Sequence, residues 1–243
     1  ISTDNLADLK VFNGKEIFYA VSGKGTVVLK SVDDMTTEEK SLFSSNKKEK
    51  KTIRIPEGKL KLDGTMPINM ANVSSADSGI LSGPKAANLG QLKKLFPQHV
   101  VNGIVVPFGV FKDHMNQKIP GQTRSYWEYL TEIFNTANTM RSNKLQESEV
   151  IKYQLAEFTK LRAEINKMPM KPAFLGQLES DFKTVLNGKI GTVPVFLRSD
   201  TNMEDLEEFT GAGLNLTVFN AVERDKIIQG IRDVWASPYT ERS

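Results

Sequence analysis

The sequence predicts a mixed α/β (α+β) fold, with a small, mostly β segment at residues 1–70 and a larger domain at residues 71–243. Two short apolar runs, at residues 103–106 and 193–197, have the length and composition of buried strands. Two longer segments instead repeat apolar residues at helical spacing, which predicts amphipathic helices that face a core. Their apolar stripes are Ile151, Leu155, Phe158, Leu161 and Ile165, and Leu175, Leu178, Phe182, Val185 and Leu186.

The first element is a predicted β-hairpin. Residues 16–21 and 26–29 form apolar runs, and the Gly23-Lys24-Gly25 sequence between them contains the residues that tight turns favour. Because an isolated hairpin is only marginally stable, we expect this one to pack against another part of the protein.

A polar, lysine-rich stretch at residues 44–51 follows the hairpin and predicts a solvated linker. Its lysines could contact a polyanion, but a run of like charges is more often simply hydrated. The net charge of +3 is also too small to indicate a nucleic-acid partner. From residue 52 to residue 70, short β-like runs return between turns.

A helix is predicted to begin at Pro84, because proline is favoured in the first turn. Apolar residues continue the helical spacing at Leu89, Leu92, Leu95 and Phe96. Lys85 then lies beside the unpaired N–H groups and the positive end of the helix dipole, where a lysine gains no stability. A bound anion such as phosphate would explain its placement. The alternative is an exposed lysine on an amphipathic helix, and the GxxxxGK[ST] pattern of a Walker A loop is absent.

The strand at residues 193–197 leads directly into Arg198, and turn-prone polar residues follow it. We expect this strand to share a sheet with residues 104–106. Guanidinium offers a planar fork of donors for phosphate oxygens, while Gly211 and Gly213 would let backbone N–H groups approach an anion closely. The sequence therefore favours an anion site here, with an ordinary strand–loop junction and a surface arginine as the alternative.

Four motifs occur in order along the second part of the chain: 83–90, 105–109, 196–200 with 204–206, and 234–242. Together they resemble the nucleotide-binding domain of the phosphoenolpyruvate synthase and pyruvate phosphate dikinase family, over about residues 80–243. The loop at residues 207–214 is closer to the glucan, water dikinases, whereas the position of the motif at 234–242 is that of the synthases. The final phosphoryl acceptor, pyruvate or glucan, therefore stays open.

The resemblance implies part of an ATP-grasp-like nucleotide-binding lobe with a helical insertion. Lys85 and Arg198 would contact the triphosphate of ATP, Arg198 as the catalytic residue, and the loop with Gly211 and Gly213 would close over the phosphates. The parent would be a cytoplasmic, ATP-dependent phosphotransferase of the dikinase type, acting through a phosphohistidine domain of the same chain. Mg²⁺ would be a cofactor, with its ligands in a second lobe downstream.

We therefore expect the chain to be a fragment of a longer protein and to be inactive alone. Residues 1–70 would be the tail of the phosphohistidine swivelling domain, which they resemble at Leu6-Ala7-Asp8-Leu9 and Gly14-Lys15. Glu204 and Asp205 are candidates for organising the phosphate loop, not for binding metal. The alternative function is a non-catalytic binding or scaffold module that keeps the fold without the chemistry.

The composition excludes several other kinds of site. The chain has no cysteine, which excludes disulfides, thiolate catalysis and cysteine zinc sites. Its two histidines, His99 and His114, have no partner at ligand spacing, so neither is assigned to a metal or to catalysis. No apolar run is long enough to span a bilayer, and we expect no membrane partner.

Overall fold

The computed structural model describes residues 10–15, 17–21, 23–45, 59–202 and 216–240. The chain divides into two compact units, Ile1–Thr52 and Ile53–Ser243.

The first unit contains the predicted hairpin. Strand β1 (Ile17–Val21) pairs antiparallel with β2 (Val27–Ser31), which confirms the prediction. Helix α1 (Thr37–Ser45) follows the hairpin, and a reciprocal pair of hydrogen bonds between Thr36 and Glu39 caps its start. Lys30 on β2 forms an ion pair of 2.8 Å with Glu39, which ties the helix to the hairpin.

The second unit is mostly helical, and both predicted amphipathic helices are present. In chain order its elements are β3 (Ile68–Asn69), α2 (Pro84–Leu95), β4 (Ile104–Val105), α3 (Phe108–Met115), α4 (Tyr126–Ser142), α5 (Glu147–Ile165), α6 (Pro172–Thr184), β5 (Val195–Arg198), β6 (Thr217–Ala221) and α7 (Arg224–Ala236). Within the described ranges, none of the helices combines the length and apolar character needed to cross a bilayer.

The prediction that the strands at residues 104–106 and 193–198 share a sheet is wrong. Strand β4 pairs antiparallel with β3, and β5 pairs antiparallel with β6. Val106 and Pro107 separate β4 from α3, and Pro107 lacks the N–H group that a longer pairing would need.

Strand β5 is half-exposed, although its apolar run predicted a buried strand. Val195 and Leu197 face inward, while Phe196 is 64% exposed and contacts the ring of Phe219 across the ribbon. Helix α7 covers the inner face so closely that a side chain at Gly230 would clash with Leu197. The β5–β6 ribbon therefore has one packed face and one open face.

The main core lies between the helices and the inner face of this ribbon. Trp235 of α7, which belongs to the fourth sequence motif, is part of this core. Its ring lies 4.9 Å from His114, 5.8 Å from Phe111 and 6.3 Å from Phe174, measured between ring centroids. The fourth motif thus has a packing role in this fold.

Helix α2 packs against the preceding chain through a smaller apolar cluster. The buried residues of this cluster are Met70, Val73, Ala87 and Val105. A side chain at Gly90 would come within 2.5 Å of the Val73 carbonyl oxygen, so α2 lies directly against the preceding chain. The helix is confirmed, but Leu92, Leu95 and Phe96 are exposed rather than buried. Ala87, Gly90 and the partly buried Leu89 make this contact, so only one residue of the predicted apolar stripe takes part.

His114 is fully buried, and both of its ring nitrogens take part in hydrogen bonds. The Val110 carbonyl oxygen can only accept, so Nδ1 carries the hydrogen and donates over 2.8 Å. Nε2 then accepts from the Lys171 N–H at 3.3 Å. Burial lowers the pKa of His114, and it outweighs the hydrogen bond to Val110 that acts to raise it.

We therefore expect the free energy of unfolding to fall as the pH is lowered below about 6.5, the ordinary pKa of histidine. Below that pH the unfolded chain takes up a proton that the folded chain resists, at up to about 1.4 kcal/mol per pH unit. Urea unfolding between pH 7.5 and 5.5 would measure the loss. His114→Gln should flatten this dependence, and equal slopes in the variant and the unaltered protein would contradict the assignment.

Candidate functional site

The N-terminus of α2 is capped by a residue that lies far away in the sequence. Gly83 precedes the helix and has no side chain to cap it. The carboxylate of Asp200 instead accepts from the Lys85 N–H at 2.9 Å and from the Ala86 N–H at 3.1 Å. Two of the unpaired donors of the first turn are thus satisfied by a residue 115 and 114 positions further along the chain.

The Asp200 carboxylate gives a second explanation for a lysine in the first turn of α2. The sequence predicted an anion at the start of the helix, and the structure places the Asp200 carboxylate there. Sequence reasoning did not single out Asp200. A helix that begins Gly-Pro, with no capping side chain of its own, was the signal that a partner from elsewhere in the chain was needed.

Gly83 is required at this point by close contact. A side chain there would clash with the Asp200 carboxylate and would lie 2.5 Å from the Thr201 carbonyl oxygen. Contacts of this length do not occur for real side chains, so the segment from 199 to 201 lies directly on the backbone of the helix start. We name this contact between residues 83–86 and 198–201 the α2–β5 junction.

The Lys85 side chain reaches the same place. Its Nζ atom donates to the Ser199 carbonyl oxygen at 3.4 Å, and Ser199 is only 4% exposed. Ser199 directly follows Arg198, so the first and third sequence motifs, which lie more than a hundred residues apart, meet at the α2–β5 junction.

Arg198 is the last residue of β5, and its side chain is on the exposed side of the ribbon. Within the described ranges, no hydrogen bond or ion pair involves its guanidinium group. Leu197, on the opposite side, packs against α7 and fixes the strand. Arg198 therefore combines an anchored backbone with a charged group open to solvent.

The loop predicted to close over the phosphates, with Gly211 and Gly213, lies outside the described residues, as do Glu204 and Asp205. In the part of the chain that the structure describes, no three acidic or histidine side chains come together as metal ligands. Both oxygens of Asp200 already accept main-chain hydrogen bonds. The described residues therefore do not form a magnesium site.

Comparisons with known proteins find similarity to pyruvate phosphate dikinase and phosphoenolpyruvate synthase sequences. The family described as pyruvate phosphate dikinase, AMP/ATP-binding domain, matches residues 80–243. A "probable phosphoenolpyruvate synthase" of Pyrococcus horikoshii is 27% identical over 126 residues, and one of Pyrococcus abyssi is 26% identical over 126 residues. Each alignment covers 51% of this chain but only 14% of the relative, so the chain matches a small part of those proteins.

Proposed function

Because this chain belongs to the family of the pyruvate phosphate dikinase AMP/ATP-binding domain, which its residues 80–243 match, we propose that the α2–β5 junction binds the phosphates of ATP. The observation that carries the proposal is the contact of the Lys85 ammonium with the carbonyl of Ser199, next to Arg198. It joins Lys85 of the first motif to the backbone of the residue that follows Arg198 in the third motif.

The charges at the junction support an anionic ligand. Among residues 83–86 and 198–201, Lys85 and Arg198 carry positive charges and Asp200 a negative charge, so the formal charge of these residues is positive. Arg198 has donors to offer, since none of the described residues takes them. In this proposal Lys85 acts as a point charge on the triphosphate, and Arg198 holds two of its oxygens in a planar fork.

Phosphoryl transfer asks a protein mainly to position the phosphates and to neutralise their charge. We propose that a longer protein containing this chain is an ATP-dependent phosphotransferase of the dikinase type, with Arg198 as its catalytic residue. Its partner would be a phosphohistidine domain of the same protein, and Gly211 and Gly213 would cover the phosphates. We further propose that Mg²⁺ is bound outside the described residues and that the parent is cytoplasmic.

One observation favours the alternative, a binding or scaffold module without chemistry. The N–H groups of Lys85 and Ala86, which a phosphate would otherwise use, already donate to Asp200. In the proposed site the contribution of α2 must therefore come from the Lys85 side chain. The phosphotransferase and the scaffold module therefore make different predictions: only the first requires the Lys85 side chain to contribute to ATP binding.

Lys85→Ala should weaken the binding of ATP to the chain about tenfold, as measured by titration calorimetry. A charge-assisted hydrogen bond is worth about 1.5–3 kcal/mol, and about 1.4 kcal/mol corresponds to a factor of ten. Lys94→Ala is the matched control, because it removes the same charge from the same helix. Lys94 lies nine residues further on, roughly 13 Å along the axis, beyond the screening length of about 8 Å at physiological salt.

The control should change the dissociation constant less than twofold. Equal effects of Lys85→Ala and Lys94→Ala, or no measurable affinity of the unaltered chain for ATP, would contradict the proposed function. Sustained ATP hydrolysis by the chain alone is not expected.

A further inference from the structure

We infer that Asp200 is a positioning residue of the ATP site, whose carboxylate holds Lys85 and Arg198 at one place. This inference rests on the proposed function. It has a counterintuitive consequence: removal of this negative charge should weaken the binding of a negatively charged ligand.

The carboxylate makes two bonds to consecutive backbone groups. One oxygen accepts from the Lys85 N–H and the other from the Ala86 N–H, at 2.9 and 3.1 Å. Two bonds to two fixed donors define the orientation of the carboxylate as well as its position. Because the acceptor is charged and lies at the positive end of the helix, both bonds are of the stronger kind.

Further contacts fix the backbone on each side of Asp200. The Thr201 carbonyl lies so close to Gly83 that a side chain there would be 2.5 Å from it. The Ser199 carbonyl receives the Lys85 ammonium at 3.4 Å. Arg198 is two residues from Asp200 on a strand that α7 holds from the other side. Asp200 thus ties the start of the helix that carries Lys85 to the chain segment that follows Arg198.

A different role for Asp200 would give the opposite result. If the carboxylate occupied the place of a phosphate and competed with it, its removal would free two N–H donors and strengthen ATP binding. The packing favours positioning, because the Thr201 backbone also lies against Gly83. Displacing the Asp200 side chain alone would therefore not open the start of the helix to a phosphate.

The test compares Asp200→Ala and Asp200→Asn with the unaltered chain, measuring the dissociation constants of ATP and of inorganic triphosphate by calorimetry. Asp200→Ala should weaken both ligands about tenfold or more, the loss expected when one charge-assisted contact is misplaced. Asp200→Asn should be intermediate, because its amide oxygen keeps one acceptor. The asparagine variant also serves if the alanine variant does not fold.

Ser125→Ala is the matched control for a purely structural effect. The Ser125 hydroxyl caps α4 by accepting from the Glu128 N–H at 3.1 Å, so this variant also loses a helix cap. It should lower the melting temperature to a similar extent and leave both dissociation constants within twofold.

The outcomes separate the two proposals. If either Asp200 variant binds ATP as tightly as the unaltered chain, or more tightly, while Lys85→Ala still weakens binding, then the positioning role is wrong and the proposed function stands. If the unaltered chain does not bind ATP, or if Lys85→Ala and Arg198→Ala leave its affinity unchanged, the proposed function fails and the positioning role fails with it.

Discussion

Arg198→Lys should weaken ATP binding about ten- to a hundredfold and change the free energy of unfolding by less than about 1 kcal/mol. Lysine keeps the positive charge but lacks the planar fork, so the bidentate contact is lost. One charge-assisted hydrogen bond is worth about 1.5–3 kcal/mol, which corresponds to this range of affinity. Stability should hardly change, because the guanidinium group is exposed and bonds to none of the described residues. Calorimetry and urea unfolding measure the two quantities.

Arg141→Lys provides the matched control for this change. Arg141 makes a two-pronged contact with Glu147 on the surface, with bonds of 2.7 and 3.0 Å. Its replacement should leave ATP affinity unchanged and cost only a few tenths of a kcal/mol, typical of exposed ion pairs. A destabilised Arg198→Lys variant with normal ATP affinity would show that Arg198 serves the fold instead of the phosphates.

Trp235→Ala should lower the free energy of unfolding by about 3–5 kcal/mol, the usual cost of removing a buried aromatic ring. The Trp235 residue is 9% exposed and contacts three aromatic rings from other helices. Its removal leaves a cavity in the main core. Trp235→Phe should cost less, since part of the cavity stays filled. Urea unfolding followed by circular dichroism avoids dependence on tryptophan fluorescence.

The other tryptophan of the chain is a suitable control. Trp127 is 36% exposed, and its ring lies under the Lys112 ammonium at 3.0 Å from the centroid. Trp127→Ala should remove this cation–π contact, worth about 0.5–1 kcal/mol at an exposed site, together with some packing. If both alanine variants lost the same stability, Trp235 would not hold the position in the core that we describe.

Local features of the sequence predicted the local structure. The Gly-Lys-Gly turn fixed the hairpin of β1 and β2, and apolar spacing identified α5 and α6. The mixed α/β class and the family resemblance over residues 80–243 were confirmed as well. These inferences succeed because turn chemistry and helical periodicity depend on neighbouring residues.

Pairing between distant segments could not be predicted in the same way. Strands of two to five residues carry no information on their partners, and β4 therefore paired with β3 and not with β5. The exposure of Phe196 was also not predictable, because an apolar run does not indicate which face of the strand another element will cover. At the candidate site, the sequence predicted roles for Lys85 and Arg198 but none for Asp200, whose carboxylate bonds to the start of α2. Their roles in ATP binding remain predictions.

The remote cap of α2 also bears on the order in which the chain folds. During synthesis α2 is made long before residue 200. Until Asp200 follows, the Lys85 and Ala86 N–H groups lack the carboxylate that accepts their hydrogen bonds in the folded domain. Contacts of such wide sequence separation close late and slow the approach to the native state. A nascent chain that ends before β5 would therefore contain α2 with a frayed first turn. That turn becomes fully hydrogen-bonded only when residues 83–86 and 198–201 have come into contact.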